Sequence, residues 1–249
     1  MVGVAGPPLE HAPGLADDLS GAALSLARRF AAGATMWCAA PVWPAHGRHV
    51  AVEFVHPVIV GKRALPAVNI GGRDPAGALR LLANAGDVLL AVAPAGEPRA
   101  RDLLRRSEAW GLCRFWLGAG PRPPGGFAEH VVWLDGPEPA VAARTGDVVM
   151  LYHLLWELTH VVFEHPGLLE PEAVCSDEVC TTCADEGTVG EVIEVHDLGR
   201  AEVIVGGASQ GVDVSLVAPV RRGDLVLVHA GVALTTLVEE PGSAGGERA

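Results

Sequence analysis

The chain has 249 residues, with 18 Lys or Arg against 30 Asp or Glu, a formal net charge of −12, and 49% hydrophobic but only 5% aromatic side chains. So acidic a chain, without a basic stripe, is repelled by phosphate backbones, which argues against nucleic-acid binding. No apolar run is long enough to span a membrane.

The opening MVGVAGPPLEHAPGLADD lacks the basic region and apolar stretch of a signal peptide. Five cysteines, three of them between 175 and 183, fit a secreted disulfide framework poorly, so a reducing cytoplasm is expected.

From about residue 15 to 165, apolar runs alternate with helical patterns. LADDLSGAALSLARRFAAG predicts an amphipathic helix, with Asp17 and Asp18 near its start and Gly33 as a stop. ATMWCAA, ALPAVNI and GDVLLAVAP read as short buried strands. EPRARDLLRRSEAWG is helical, with Pro98 in its first turn and Gly111 closing it. LCRFWLG and EHVVWLDG complete the strands, and TGDVVMLYHLLWELTHVVFEH is a long apolar helix. Strands separated by helices predict a parallel sheet with crossover helices.

The pattern changes after His165. PGLLEPEA is a joint, and beyond it TVGEVIEV, AEVIVGG, VDVSLVA, DLVLVHA and VALTTLVE are Val-rich runs separated by Gly, Asp and Pro. Five close-spaced strands predict a small β-barrel. The expected organisation is therefore an α/β domain over residues 1–166, a barrel over 174–240 and a solvated tail over 241–249.

The stretch RRGDLVLVHAGVAL, with Gly223, Asp224, Val226, Leu227, Val228, His229, Gly231 and Ala233 at fixed spacing, resembles the HypC/HupF hydrogenase-maturation chaperones. The resemblance covers about residues 180–240 and implies an OB-like barrel. It also implies a role in holding the Fe(CN)2CO unit destined for a nickel–iron hydrogenase, together with a HypD-type scaffold protein and the hydrogenase large-subunit precursor. In that family a cysteine at the barrel edge works with the histidine. A soft thiolate suits low-spin iron, and imidazole can ligate or hydrogen-bond beside it.

Cys183 is the best positional match, with Cys180 and Cys175 as additions. The family's cysteine becomes the first residue of its chain, whereas Cys183 is internal, so ligation by an amino-terminal amine is not expected here. Other readings of the same residues stay open. Cys175, Cys180, Cys183 and His229 could staple a zinc ion, Cys180 and Cys183 could form a redox pair, and His229 could be a packed barrel side chain.

The first domain resembles the SIS (sugar isomerase) fold, a flavodoxin-like parallel α/β architecture, and especially its sedoheptulose-7-phosphate isomerase branch. CAAPVWPAHGRHVAVEFVHPVIVGKRALPAVNI, GDVLLAVAPAGEPRARDLLRRSEAWGLCRFWLGAG and LYHLLWELTHVVFEH carry the likeness. The family's two substrate loops are replaced. Ala39, Ala40, Pro41, Val42 and Trp43 stand at the first, and Ala93, Pro94, Ala95, Gly96, Glu97 and Pro98 at the second. Pro41 removes an amide donor and Trp43 fills space. The phosphate-binding hydroxyls of the second loop are gone, and Glu97 would repel a phosphate.

Phosphosugar turnover is therefore not expected, and the chain is read as a carrier rather than an enzyme. His49 and Glu53, four apart on one helix face, match the branch's metal pair. His160 matches a metal-ligand histidine on the last helix, and Tyr152 stands where the family has a glutamine. His49, Glu53 and His160 are thus candidate zinc ligands, with His46, His56 and His153 nearby. SIS domains pair through their helices, so a homodimer is expected.

Overall fold

The computed structural model describes residues 14–136, 145–170 and 187–237. The chain divides into two compact units, Met1–Asp177 and Glu178–Ala249. Cys175, Cys180 and Cys183 lie outside the described residues.

In the first unit the elements run α1 (Leu15–Ala31), β1 (Met36–Ala39), α2 (Pro44–Val55), β2 (Ala67–Ile70), α3 (Pro75–Leu82), β3 (Val88–Val92), α4 (Pro98–Ala109), β4 (Cys113–Gly120), β5 (His130–Asp135) and α5 (Thr145–Glu164). All five strands pair in parallel, in the order β2-β1-β3-β4-β5. β1, β3 and β4 are buried along their whole length, as expected of a sheet covered on both faces. Leu26 and Phe30 of α1, Val50 and Phe54 of α2, and Leu151 and Leu155 of α5 pack against Met36, Cys38, Leu90 and Phe115 on one face.

Helix stops behave as their chemistry predicts. Gly33 (φ 92°) and Gly111 (φ 75°) take the left-handed conformation just beyond α1 and α4. The short helix α3 was not among the expected elements. Its signal is Asp74-Pro75, in which Asp74 accepts from the Gly77 amide at 2.7 Å and Pro75 opens the first turn.

The second unit is a closed five-stranded barrel of β6 (Thr188–His196), β7 (Arg200–Val205), β8 (Ala208–Asp213), β9 (Leu225–His229) and β10 (Val232–Thr236), in the order β10-β8-β7-β6-β9. Pairing is antiparallel except where β10 meets β8 at Val232 and Asp213 and closes the barrel. Val192, Val203, Val212, Val226, Val228 and Ala233 fill the interior. One strand differs from expectation: of VDVSLVA only Val212 and Asp213 are extended, as the end of the strand ASQGVD, which begins four residues earlier. Asp213 ends it by accepting from the Ser215 amide at 2.9 Å and hydroxyl at 2.6 Å, a side-chain turn that competes with the ladder.

Candidate functional site

The spacing of RRGDLVLVHAGVAL has a local structural cause at almost every position. Gly223 (φ 91°) and Asp224 close the turn into β9, with the Asp224 carboxylate accepting from the Arg221 amide at 2.7 Å. Val226, Val228 and Ala233 are core residues. Ala230 (φ 48°) and Gly231 (φ 78°) form a two-residue connection between His229 and its cross-strand partner Val232. Two successive left-handed residues are what a tight hairpin of the right twist needs.

His229 is the exception. It is half-buried at the end of β9, and its ring makes no hydrogen bond among the described residues. The three candidate cysteines lie outside those residues, so the structure does not place them relative to His229.

In the first unit, α2 and α5 bring a second cluster together. Among the described residues, His49, Glu53 and His153 form a group whose ligand atoms all lie within 4.8 Å of one another. His49 Nε2 is 3.2 Å and His153 Nε2 3.3 Å from the same oxygen, Glu53 Oε1. The far nitrogens are held too. His153 Nδ1 is 2.7 Å from the Val149 carbonyl, which can only accept, so this nitrogen carries a proton. His49 Nδ1 is 2.8 Å from the Tyr152 hydroxyl. Burial, and then the Glu53 charge, push the Tyr152 pKa up to about 12, so the phenol stays protonated.

His46, which completes the wall against Tyr152, is held below the ordinary imidazole pKa by burial and then by His49.

With Nδ1 of His153 donating, its Nε2 faces a carboxylate and needs either a proton or a cation between the two groups. Two imidazoles and one carboxylate with fixed outer partners are a donor set that fits zinc with an open position. His160, expected as the third ligand, sits elsewhere. It is 2% exposed, with Nδ1 at 2.9 Å from the Trp156 carbonyl and Nε2 at 3.0 Å from the Arg63 carbonyl. Two turns of helix separate His153 from His160, about 10 Å along the axis; the imidazole that reaches His49 is therefore that of His153. His56 is exposed at the end of α2 and is not in the group.

The replaced loops are built as their residues demand. Trp43 packs against the domain core and edge-on to His46, with ring centroids 5.9 Å apart. Glu97 caps α4, accepting from Arg99 Nε at 2.9 Å and from the Arg99 amide at 3.4 Å. A pocket of about 200 Å³ at the carboxyl ends of β1 and β2 is lined by Arg48, Arg73 and Arg99. No motif or spacing in the sequence links these three arginines. No described helix is long and apolar enough to cross a membrane.

The first unit has the fold of solved isomerases. A phosphoheptose isomerase from Francisella tularensis superposes with a TM-score of 0.50 at 13% identity, covering 61% of this chain and 87% of that one. One from Neisseria gonorrhoeae gives a TM-score of 0.47 at 17% identity, over 58% of this chain and 86% of that one. At such identities the likeness concerns fold alone. No curated protein matches the chain. The barrel matches the sequence profile of the HupF/HypC family over residues 187–243. One chain thus carries a stretch, residues 187–243, that matches the HupF/HypC family, and an α/β unit with the fold of the phosphoheptose isomerases.

Proposed function

We propose that the protein is an accessory factor of nickel–iron hydrogenase assembly whose barrel holds or hands over the Fe(CN)2CO unit. The observation that carries this reading is His229. Within a family-matched hairpin in which Gly223, Ala230 and Gly231 serve turns and Val226, Val228 and Ala233 the core, the half-buried His229 ring makes no hydrogen bond among the described residues. The iron unit is cargo. Cys183 supplies the thiolate, with Cys180 and Cys175 beside it in sequence, and His229 ligates or hydrogen-bonds to the bound unit. A HypD-type scaffold protein and the hydrogenase large-subunit precursor are the partners, in the cytoplasm. The first unit serves homodimerisation and docking rather than turnover, because its two substrate loops carry Pro41, Trp43 and Glu97 in place of amides and hydroxyls.

The test is anaerobic co-purification with the HypD-type partner followed by infrared spectroscopy. Cyanide and carbonyl stretches are expected for the parent complex and should be lost in Cys183→Ala and weakened in His229→Ala. Their absence from the parent, with Cys183→Ala still supporting hydrogenase maturation, overturns the proposal. Zinc lost only on cysteine substitution would instead favour a zinc-stapled interaction module.

A second reading rests on the cluster between α2 and α5, where a metal-dependent isomerase or related enzyme would have its centre. His49, Glu53 and His153 would hold zinc, which when bound would polarise an oxygen ligand or lower the pKa of a water. Tyr152 and the Val149 carbonyl orient the two imidazoles. Metal analysis should find stoichiometric zinc in the parent, lost in His49→Ala and His153→Ala and retained in His160→Gln. Binding should weaken on acidification, because imidazole ligates only when neutral. Zinc retained in His153→Ala but lost in His160→Gln would restore the ligand set expected from sequence.

A further inference from the structure

The sheet order of the first unit places β2 on one side of β1 and β3 on the other, so the chain reverses direction across β1. In open parallel sheets a crevice outside the carboxyl ends of the strands, near such a reversal, is where ligands bind. The pocket of about 200 Å³ is at this place. Its wall includes the first residues of two helices, Pro44 of α2 and Pro75 of α3, together with Arg99, the second residue of α4. Amide dipoles at these ends favour negative charge.

Three guanidinium groups reinforce that field. Arg48, Arg73 and Arg99 all line the pocket, and no carboxylate does. In a chain of net charge −12, three arginines lining one pocket without a lining acid are a local concentration of positive charge. Of the carboxylates nearest in sequence, Asp74 caps the Gly77 amide and Glu97 pairs with Arg99, so the uncompensated charge on the wall is that of Arg48 and Arg73. Arg99 is steadied further by donating from Nη2 to the Pro41 carbonyl at 3.3 Å. Neither Arg48 nor Arg73 has an ion pair among the described residues. Both are exposed, so their side chains are free to close on a ligand. Gly71 and Gly72 (φ 101°) leave the backbone between them uncovered by side chains.

We propose that this pocket binds a small polyanion, a compact molecule bearing two or more phosphoryl or carboxylate groups, gripped by Arg48, Arg73 and Arg99. The volume is below the roughly 300–1,000 Å³ typical of drug-sized ligands, which selects a compact anion over a nucleotide. Guanidinium recognises either oxyanion through paired N–H donors. The loop Ala93–Pro98, where the resembled isomerases keep phosphate-binding hydroxyls, contributes no residue to the lining. The binding chemistry has moved from hydroxyls on one loop to guanidinium groups on three helices and loops.

The test is isothermal titration calorimetry of the full chain at low ionic strength, with sodium pyrophosphate and sodium citrate as probes. Saturable one-site binding is expected for at least one probe; preference for pyrophosphate identifies a phosphoryl ligand, and preference for citrate a polycarboxylate. Arg48→Gln and Arg73→Gln should each weaken binding by about tenfold or more, the value of one lost charge-assisted contact. Arg222→Gln, which removes the same charge from an exposed position on the barrel, should leave it unchanged. Thermal midpoints of the variants should match the parent, since these side chains are exposed. No saturable heat with either probe, or equal weakening by Arg222→Gln, overturns the proposal.

Discussion

Asp87 is 5% exposed and spends its carboxylate on three donors: the Thr35 amide at 2.8 Å, Trp37 Nε1 at 3.0 Å and the Asn84 amide at 2.9 Å. These bonds tie the turn before β3 to the start of β1. Replacing Asp87 by Ala strands three donors at the amino-terminal ends of two interior strands, each of which had a charged acceptor. Asp87→Ala should cost about 3 kcal/mol or more, a fall in Tm of roughly 6–12 °C for a domain of this size, read by thermal melting. Asp87→Asn should lose less, because one amide oxygen still accepts. The sequence marks Asp87 as a turn residue ahead of an apolar run. It does not disclose Trp37, fifty positions away, because that contact exists only once β1 and β3 pair. The same holds for His153, which becomes a partner of Glu53 only when α5 lies against α2.

At the level of elements, the parallel strands were legible because fully buried strands read as unbroken apolar runs. Periodicity did not reveal how closely they are packed. Gly118 of β4 has no room for a Cβ, which would lie 2.5 Å from the Trp133 ring and 2.6 Å from the Ala93 carbonyl oxygen. Trp133 is 1% exposed, and its indole donates to the Gly120 carbonyl at 2.9 Å, so it cannot swing aside without losing that bond. Gly118→Ala should therefore destabilise by about 1–3 kcal/mol through overpacking, measured by urea unfolding with unchanged m-value. In the barrel Gly190 meets the same limit, because a Cβ there would lie 2.5 Å from Val203 Cγ1. The strand expected at VDVSLVA was misplaced for a different reason. Val-rich composition signals burial, and Val214 is indeed buried at 1%, but Asp213 bonds to Ser215 and turns the chain there. A local side-chain turn outweighed β-propensity.

For the whole molecule, the two units carry separate cores. One is built on Leu, Phe and Trp around a parallel sheet, the other on valines inside a closed barrel. A closed barrel has no unpaired edge, and its ladder is satisfied within residues 188–236. Residues 178–249 expressed alone should therefore unfold cooperatively, with far-ultraviolet circular dichroism of a β-protein. A non-cooperative melt of that fragment would show that the barrel depends on the first unit.

That one chain carries a parallel α/β fold and then a barrel could be read from residues alone, through the switch from helical to strand periodicity after His165 and the spacing around His229. Those are local signals, written in neighbouring residues and in turns that need particular backbone angles. Packing settled that His153 joins His49 and Glu53 while His160 bonds to two backbone carbonyls. Packing also gathered Arg48, Arg73 and Arg99 around one pocket. Those residues come from separate helices and loops, and only the order in which the strands pair sets which of them share a site.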